Sequence, residues 1–240
     1  MNRTLGERLA AILTALATAF LVIAVAIVPF LTPAWVSFEQ GRAEAAAWTG
    51  FTTSELSVAT DSILHDLVLG PPDFAVAVGG QPVLSERERS HMRDVRGVFT
   101  VFAALAVVAA VGLVLLVAGA RRLGHPERAW AAVAAGAKWL VAGIVVAAIV
   151  VTFAFDQAFE VFHTVFFPAG SFDFDPRTDR LVQLFPFQFW FETTLAVGVV
   201  VIGLAAVTWF VARERARAAI AATHPLIGAP AARPETDLAR

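Results

Sequence analysis

The chain has 240 residues, 58% of them hydrophobic and 16% charged, and its mean hydropathy is +0.71. Soluble domains are about a quarter charged, so this balance points to a membrane protein, and a formal net charge of −2 gives no reason to expect nucleic-acid binding. Cysteine is absent, which excludes a thiol nucleophile, a disulfide framework and thiolate metal sites.

Taken in chain order, residues 9–30 form the first run that reaches the roughly 20 apolar residues needed to cross a bilayer as a helix. The run is too long for a signal peptide's apolar region. It shows no small-x-small cleavage site before Pro29 and Pro33, so it reads as a retained span. The segment 31–96 follows. Leu56, Ile63, Leu64 and Leu67 recur at helical spacing, which predicts an amphipathic helix over 54–69, ended by Gly70-Pro71-Pro72. Gly79-Gly80 marks a turn between two short apolar runs that fit a hairpin. Ser85-Glu86-Arg87-Glu88 has the capping-box pattern and predicts a helix running on into a second span at 97–120.

That helix puts His91 and Asp94 three residues apart, on one face. An aspartate so placed would hold the imidazole in one tautomer and raise its basicity, as in a Ser-His-Asp triad. The other reading is a solvated turn of mixed charge, since Glu86, Arg87, Glu88, Arg89 and Arg93 surround the pair.

A third span covers 129–155 and a fourth 187–212, with the segment 156–186 between them. Residues 153–191 hold 12 of the 20 phenylalanines, alongside several ionisable groups. Asp156, Glu160 and His163 follow i, i+4, i+7 spacing and form a polar stripe if the third span continues as a helix. Phe155, Phe159, Phe162 and Phe166 form an aromatic stripe beside it. A ring belt at the interface accounts for part of this, but not for the polar stripe. Lys138 and Glu192 fall inside the predicted spans, near their ends. His65 sits with Asp61 and Asp66 on the loop helix and reads as a solvated face, while His125 and His224 receive no role.

Arginines fix the expected orientation. Arg3 and Arg8, then Arg121, Arg122 and Arg128, then Arg213, Arg215 and Arg217 flank the spans at what would be the cytoplasmic side. In the segments 31–96 and 156–186, acidic residues outnumber arginine 14 to 7, which assigns both to the outside. The expected fold is an all-α membrane protein with four transmembrane helices and both termini inside. Its two extracytoplasmic loop regions form a small helical cap. Residues 1–217 make the membrane domain, and 218–240, rich in Ala and Pro without periodicity, read as a disordered cytoplasmic tail.

Two motifs then stand together, each at the outer edge of a span. One is Ser85-Glu-Arg-Glu-Arg-Ser-His91-Met-Arg-Asp94-Val95. The other runs Phe162-His163-Thr-Val-Phe-Phe167, Phe172-Asp-Phe-Asp-Pro176, Thr178-Asp179-Arg-Leu181 and Phe185-Pro186. With four spans, this pattern over residues 5–212 resembles the bacterial integral-membrane family that includes the lipoprotein intramolecular transacylase, Lit. Two positions depart from it: Phe172 stands where a tryptophan is expected, and Phe187 where a glutamate is.

The resemblance implies a membrane-bound acyltransferase of the bacterial cytoplasmic membrane with its site facing outward. It would act on a diacylated lipoprotein, moving one chain from the glycerol sn-2 ester to the α-amino group of the N-terminal cysteine. It implies His91 as the catalytic histidine, with His163, Asp94 and Asp179 around it. Arg93, Glu160, Phe166, Phe167, Phe172 and Arg180 would bind the substrate and membrane lipid. An α-amine with a pKa near ~8 and an imidazole near ~6.5 exchange protons readily at neutral pH, and the reaction needs no cofactor. Arg93, Arg180 or backbone amides are candidate donors to the oxyanion. Two other readings compete: a metal-dependent membrane hydrolase using His91 and His163 as ligands, and a non-enzymatic module that binds lipid or a membrane partner.

Overall fold

The computed structural model describes residues 4–223. Helix α1 (Leu5–Ile27) starts on a capping box in which the Thr4 side chain accepts from the Glu7 amide and the Glu7 carboxylate accepts from the Thr4 amide. A 3₁₀ turn over Val28–Leu31 carries the chain into three shorter helices: α2 (Pro33–Arg42), α3 (Ala45–Thr49) and α4 (Thr53–Val68). Strands β1 (Ala77–Val78) and β2 (Gln81–Pro82) pair antiparallel across Gly79-Gly80, as the turn signal required. Both glycines have positive φ, 58° and 78°, a conformation that costs a residue without Cβ little.

Helix α5 runs without interruption from Glu86 to Arg122, capped by Ser85. Helix α6 covers Pro126–Phe166 and bends at Ala154, whose φ of −145° and ψ of 44° are not helical. A short α7 (Arg180–Leu184) precedes α8 (Phe187–Thr223). Among the described residues four helices, α1, α5, α6 and α8, are long and apolar enough to cross a membrane, and the protein is a multi-pass membrane protein. Helix α8 runs past the expected end of the span, so residues 218–223 are helical rather than tail. The segment is rich in alanine, the best helix former, and an i, i+3 pair between Glu214 and Arg217 lies just before it. The rest of the expected tail, with His224, lies outside the described residues.

The four long helices pack with small side chains at their contacts, the usual solution where lipid removes the hydrophobic drive. Ala26, Ala137, Ala205 and Val201 are buried together with Val22. At Gly136 a methyl group would run into the backbone of Ala15, so α1 and α6 approach closely there. Arg128 at the start of α6 pairs with Glu7 at the start of α1, which brings those two ends together.

The opposite end is covered by a compact layer built from α2, α3, α4, the hairpin and α7. Its core holds Leu56, Ile63, Phe74, Val83, Met92 and Leu184. Each large side chain removed from water there is worth about 1.5–3 kcal/mol. Phe74 is fully buried at a φ of +52°, so burial of its ring offsets a backbone conformation that costs about 1–3 kcal/mol. Arg96 donates to the carbonyls of Asp66 and Gly70 and so fastens the end of α4 to α5.

Candidate active site

Residues 86–96 of α5 extend beyond its apolar run into this layer and carry His91 on their buried side, 6% exposed. Beyond the bend at Ala154, the last turns of α6 carry His163. The two imidazoles stack, with centroids 6.1 Å apart and planes 22° from parallel. The tertiary fold therefore brings together two histidines 72 positions apart in sequence.

Aromatic rings enclose the pair. Phe167 packs edge-on against His91 at 4.8 Å and also lies 5.4 Å from His163. Phe174 meets His91 at 5.5 Å, while Phe159, at 4.0 Å, and Phe172, at 5.2 Å, meet His163. The phenylalanine in place of the expected tryptophan at 172 thus still supplies a ring to the site. Phe187 instead packs against Phe155 and Phe191, one ring removed from Phe159.

Electrostatics separate the two rings. His163 Nδ1 lies 2.7 Å from the Phe159 carbonyl oxygen. That oxygen can only accept, so Nδ1 carries the proton and Nε2 of the neutral ring keeps its lone pair. His91 Nδ1 is buried with no hydrogen-bond partner among the described residues. Burial lowers the pKa of His91 to about 4, the neighbouring His163 adds to the shift, and the Asp94 charge opposes it. His163 is lowered too, again by burial first, against the favourable contact with Phe159. Both rings are therefore neutral at neutral pH, the form that accepts a proton.

The remaining candidate residues divide. Phe167 and Phe172 line the pair. Asp94 makes no hydrogen bond to His91 and acts on it through charge. Asp179 accepts from Arg87 Nη2 at 3.1 Å and from the Asp175 amide at 2.7 Å, which makes it a brace of the 172–181 segment. Arg93 is turned to Glu86, at 2.7 Å. Arg180 donates to the Thr49 carbonyl and to Gln183 and stacks over Phe51. Glu160 is exposed, and Phe166 is half exposed against Phe162. Neither arginine points at the histidines, so neither is placed to stabilise an oxyanion between them.

Sequence reading passed over three residues that matter here. Phe174 alternates with Phe172 and could have been found from that spacing. Arg87 looked like one solvated charge among several. Glu88 looked like a capping residue and nothing more. Glu39 on α2 is also buried, 1% exposed, with Oε1 unpartnered among the described residues. It neighbours Glu192, which binds Arg42 through both carboxylate oxygens and accepts from Gln188.

The family model described as "Lipoprotein intramolecular transacylase Lit" matches residues 9–190. No curated protein matches the chain. Among solved structures, that of the membrane integral lipoprotein intramolecular transacylase Lit from Bacillus cereus is similar with a TM-score of 0.76 at 16% identity, covering 88% of this chain and 96% of that one. Two variants of the same Bacillus cereus protein, each with one histidine replaced, are also similar. The one changed to arginine gives a TM-score of 0.73 at 16% identity, covering 90% and 94%; the one changed to alanine gives 0.72 at 17%, covering 88% and 94%. At such identities the likeness is one of fold.

Proposed function

Because the chain belongs to the lipoprotein intramolecular transacylase Lit family, we propose that its intramolecular acyl transfer on lipoproteins runs through the stacked histidines, with His91 as general base. The single observation that carries this reading is the pair itself: two imidazoles 6.1 Å apart among the rings of Phe167 and Phe172, apolar side chains that can hold acyl chains.

In the proposed sequence, the neutral α-amine of the substrate's N-terminal cysteine attacks the carbonyl carbon of the sn-2 ester. His91 accepts a proton from the attacking nitrogen as the N–C bond forms. The fixed lone pair of His163 Nε2 accepts a hydrogen bond from the same amine and aims it. Collapse of the tetrahedral intermediate breaks the C–O bond, and His91 returns its proton to the departing glycerol oxygen. Products are an amide and a free hydroxyl, so no proton is gained or lost overall. Amine and ester sit on one molecule, so holding them in place supplies much of the acceleration, and proton transfer adds on the order of 10²–10⁴-fold.

We further propose that the layer over the four helices is an extracytoplasmic cap and that both termini are cytoplasmic. Arg121, Arg122, Arg213, Arg215 and Arg217 at the opposite ends of the helices support that orientation. The substrate would then meet the histidines at the outer leaflet of a bacterial cytoplasmic membrane. Asp94 tunes His91 through its charge, and Asp179 holds the loop that carries Phe172 and Phe174.

His91→Ala is expected to abolish N-acylation of lipoproteins while leaving the protein in the membrane. Mass spectra of lipoprotein N-termini read this directly. Unchanged spectra in a well-expressed variant would sink the reading.

A further inference from the structure

Among the described residues three capping boxes begin helices, and they are not alike. In α1 the Glu7 carboxylate serves Thr4 and the nearby Arg128. In α4 the Glu55 carboxylate serves only Thr52, through its amide and its hydroxyl. In α5 the carboxylate of Glu88 is 2% exposed and splits its oxygens between two distant segments. Oε2 accepts from the Ser85 amide at 2.7 Å, and Oε1 accepts from the Leu181 amide at 2.6 Å. Burying a carboxylate is unfavourable unless its lone pairs are matched, and here two short charge-assisted bonds match them. A helix cap needs only the first.

The second bond crosses 93 positions of sequence. Its neighbour Arg87 reaches the same segment, donating to the Asp173 carbonyl at 2.6 Å and to Asp179 Oδ2 at 3.1 Å, with its guanidinium 4.7 Å above the Phe174 ring. Between these anchors the chain delivers Phe174 to His91, and immediately before the first of them Phe172 meets His163. Glu88 also lies one helical turn before His91, on the same face of α5.

We infer that Glu88, assisted by Arg87, is a positioning residue for the acyl transfer, latching the 172–181 segment onto α5 so that one wall of the histidine pocket keeps its place. The inference rests on the reading of His91 and His163 as the reacting pair. Glutamine at position 88 would present one carbonyl oxygen and one NH₂ group to two N–H donors, so only one of the two bonds would survive. The segment would then loosen, while helix α5 itself would stay capped by Ser85.

The test uses the full chain in detergent micelles with a synthetic peptide bearing S-diacylglyceryl cysteine, and mass spectrometry reads acyl transfer. Glu88→Gln is expected to lower kcat by about 10²-fold, the scale of a misplacement near 1 Å. Modification of His91 by diethyl pyrocarbonate should accelerate several-fold, with His65 as the unchanged internal reference. Glu55→Gln, which alters a cap without a latch, should change neither readout. If Glu88→Gln does not fold, Arg87→Met tests the same latch from its exposed side, with an expected loss of 5- to 10-fold and the same rise in His91 labelling. A folded Glu88→Gln with wild-type turnover and His91 labelling overturns the inference, as does an unfolded one beside an unaltered Arg87→Met. Retained activity in His91→Ala would instead sink the catalytic pair and leave the latch measurable by labelling alone.

Discussion

Two buried titratable groups in the layer above the membrane helices, His91 and Glu39, each leave one polar atom without a hydrogen bond, yet their surroundings differ. His91 is ringed by Phe167, Phe174 and a second imidazole. None of these compensates a charge, and Asp94 does so only in part, so the ring stays neutral. Glu39 faces Glu192, whose carboxylate is already satisfied by Arg42 and Gln188. Burial first, then a hydrogen bond to Glu192 and the Glu192 charge, raise Glu39 to about 7 against the pull of Arg42. Arg42 on α2 and Glu192 on α8 form a static clasp, with Glu39 holding its proton more tightly beside the paired carboxylate. The difference teaches that burial of an ionisable group marks chemistry only where its neighbours leave the charge uncompensated.

The largest expected effect tests the imidazole pair. His163→Phe keeps the ring packing but removes both nitrogens, and kcat should fall on the order of 10²–10⁴-fold. A loss of only a few-fold would reduce His163 to packing and make His91 no different from Glu39.

The next concerns pH. A histidine in the unfolded chain titrates near ~6.5, whereas folded His91 is lowered to about 4. The unfolded state therefore binds more protons between those values, and this contribution to stability is present above ~6.5 and lost as pH falls toward 4. The base remains neutral over the same window, so kcat/KM, once divided by the fraction of substrate α-amine (pKa near ~8) that is unprotonated, should hold steady well below pH 6 before falling. Asp94→Asn removes the charge that favours the proton, so the acid limb should move to lower pH. A limb near 6.5, unmoved by Asp94→Asn in pH–rate profiles, would contradict a buried base.

The smallest effect is expected at the clasp. Folded Glu39 holds its proton more tightly than the ~4.3 of a free glutamate, so its contribution to stability is fully present below that value and declines as pH rises through 7. Glu39→Gln keeps a donor toward Glu192 and should flatten the dependence of Tm on pH between 5 and 8, with turnover within a factor of two. A large loss of turnover would move Glu39 into the reaction.

Much of the fold was legible in the chain. Apolar run length gave the four long helices, because a hydrocarbon slab admits little else. Ser85 with Glu88 gave the start of α5, and Gly79-Gly80 gave the hairpin, since capping and positive φ are local demands. His91 and His163 were legible as motif residues. Their partners were harder: Arg93 and Arg180 look as suitable as Arg87 in sequence, and only packing turned the first two toward Glu86 and Thr49.

The sequence by itself determined where the four long helices run and offered His91 and His163 as candidate residues, because those follow from composition and short-range periodicity. Tertiary structure alone decided that His91 meets His163 and that Glu88 reaches Leu181. Each is a contact between distant segments, fixed by the bend at Ala154 and by burial in the layer's core, neither of which any local pattern encodes.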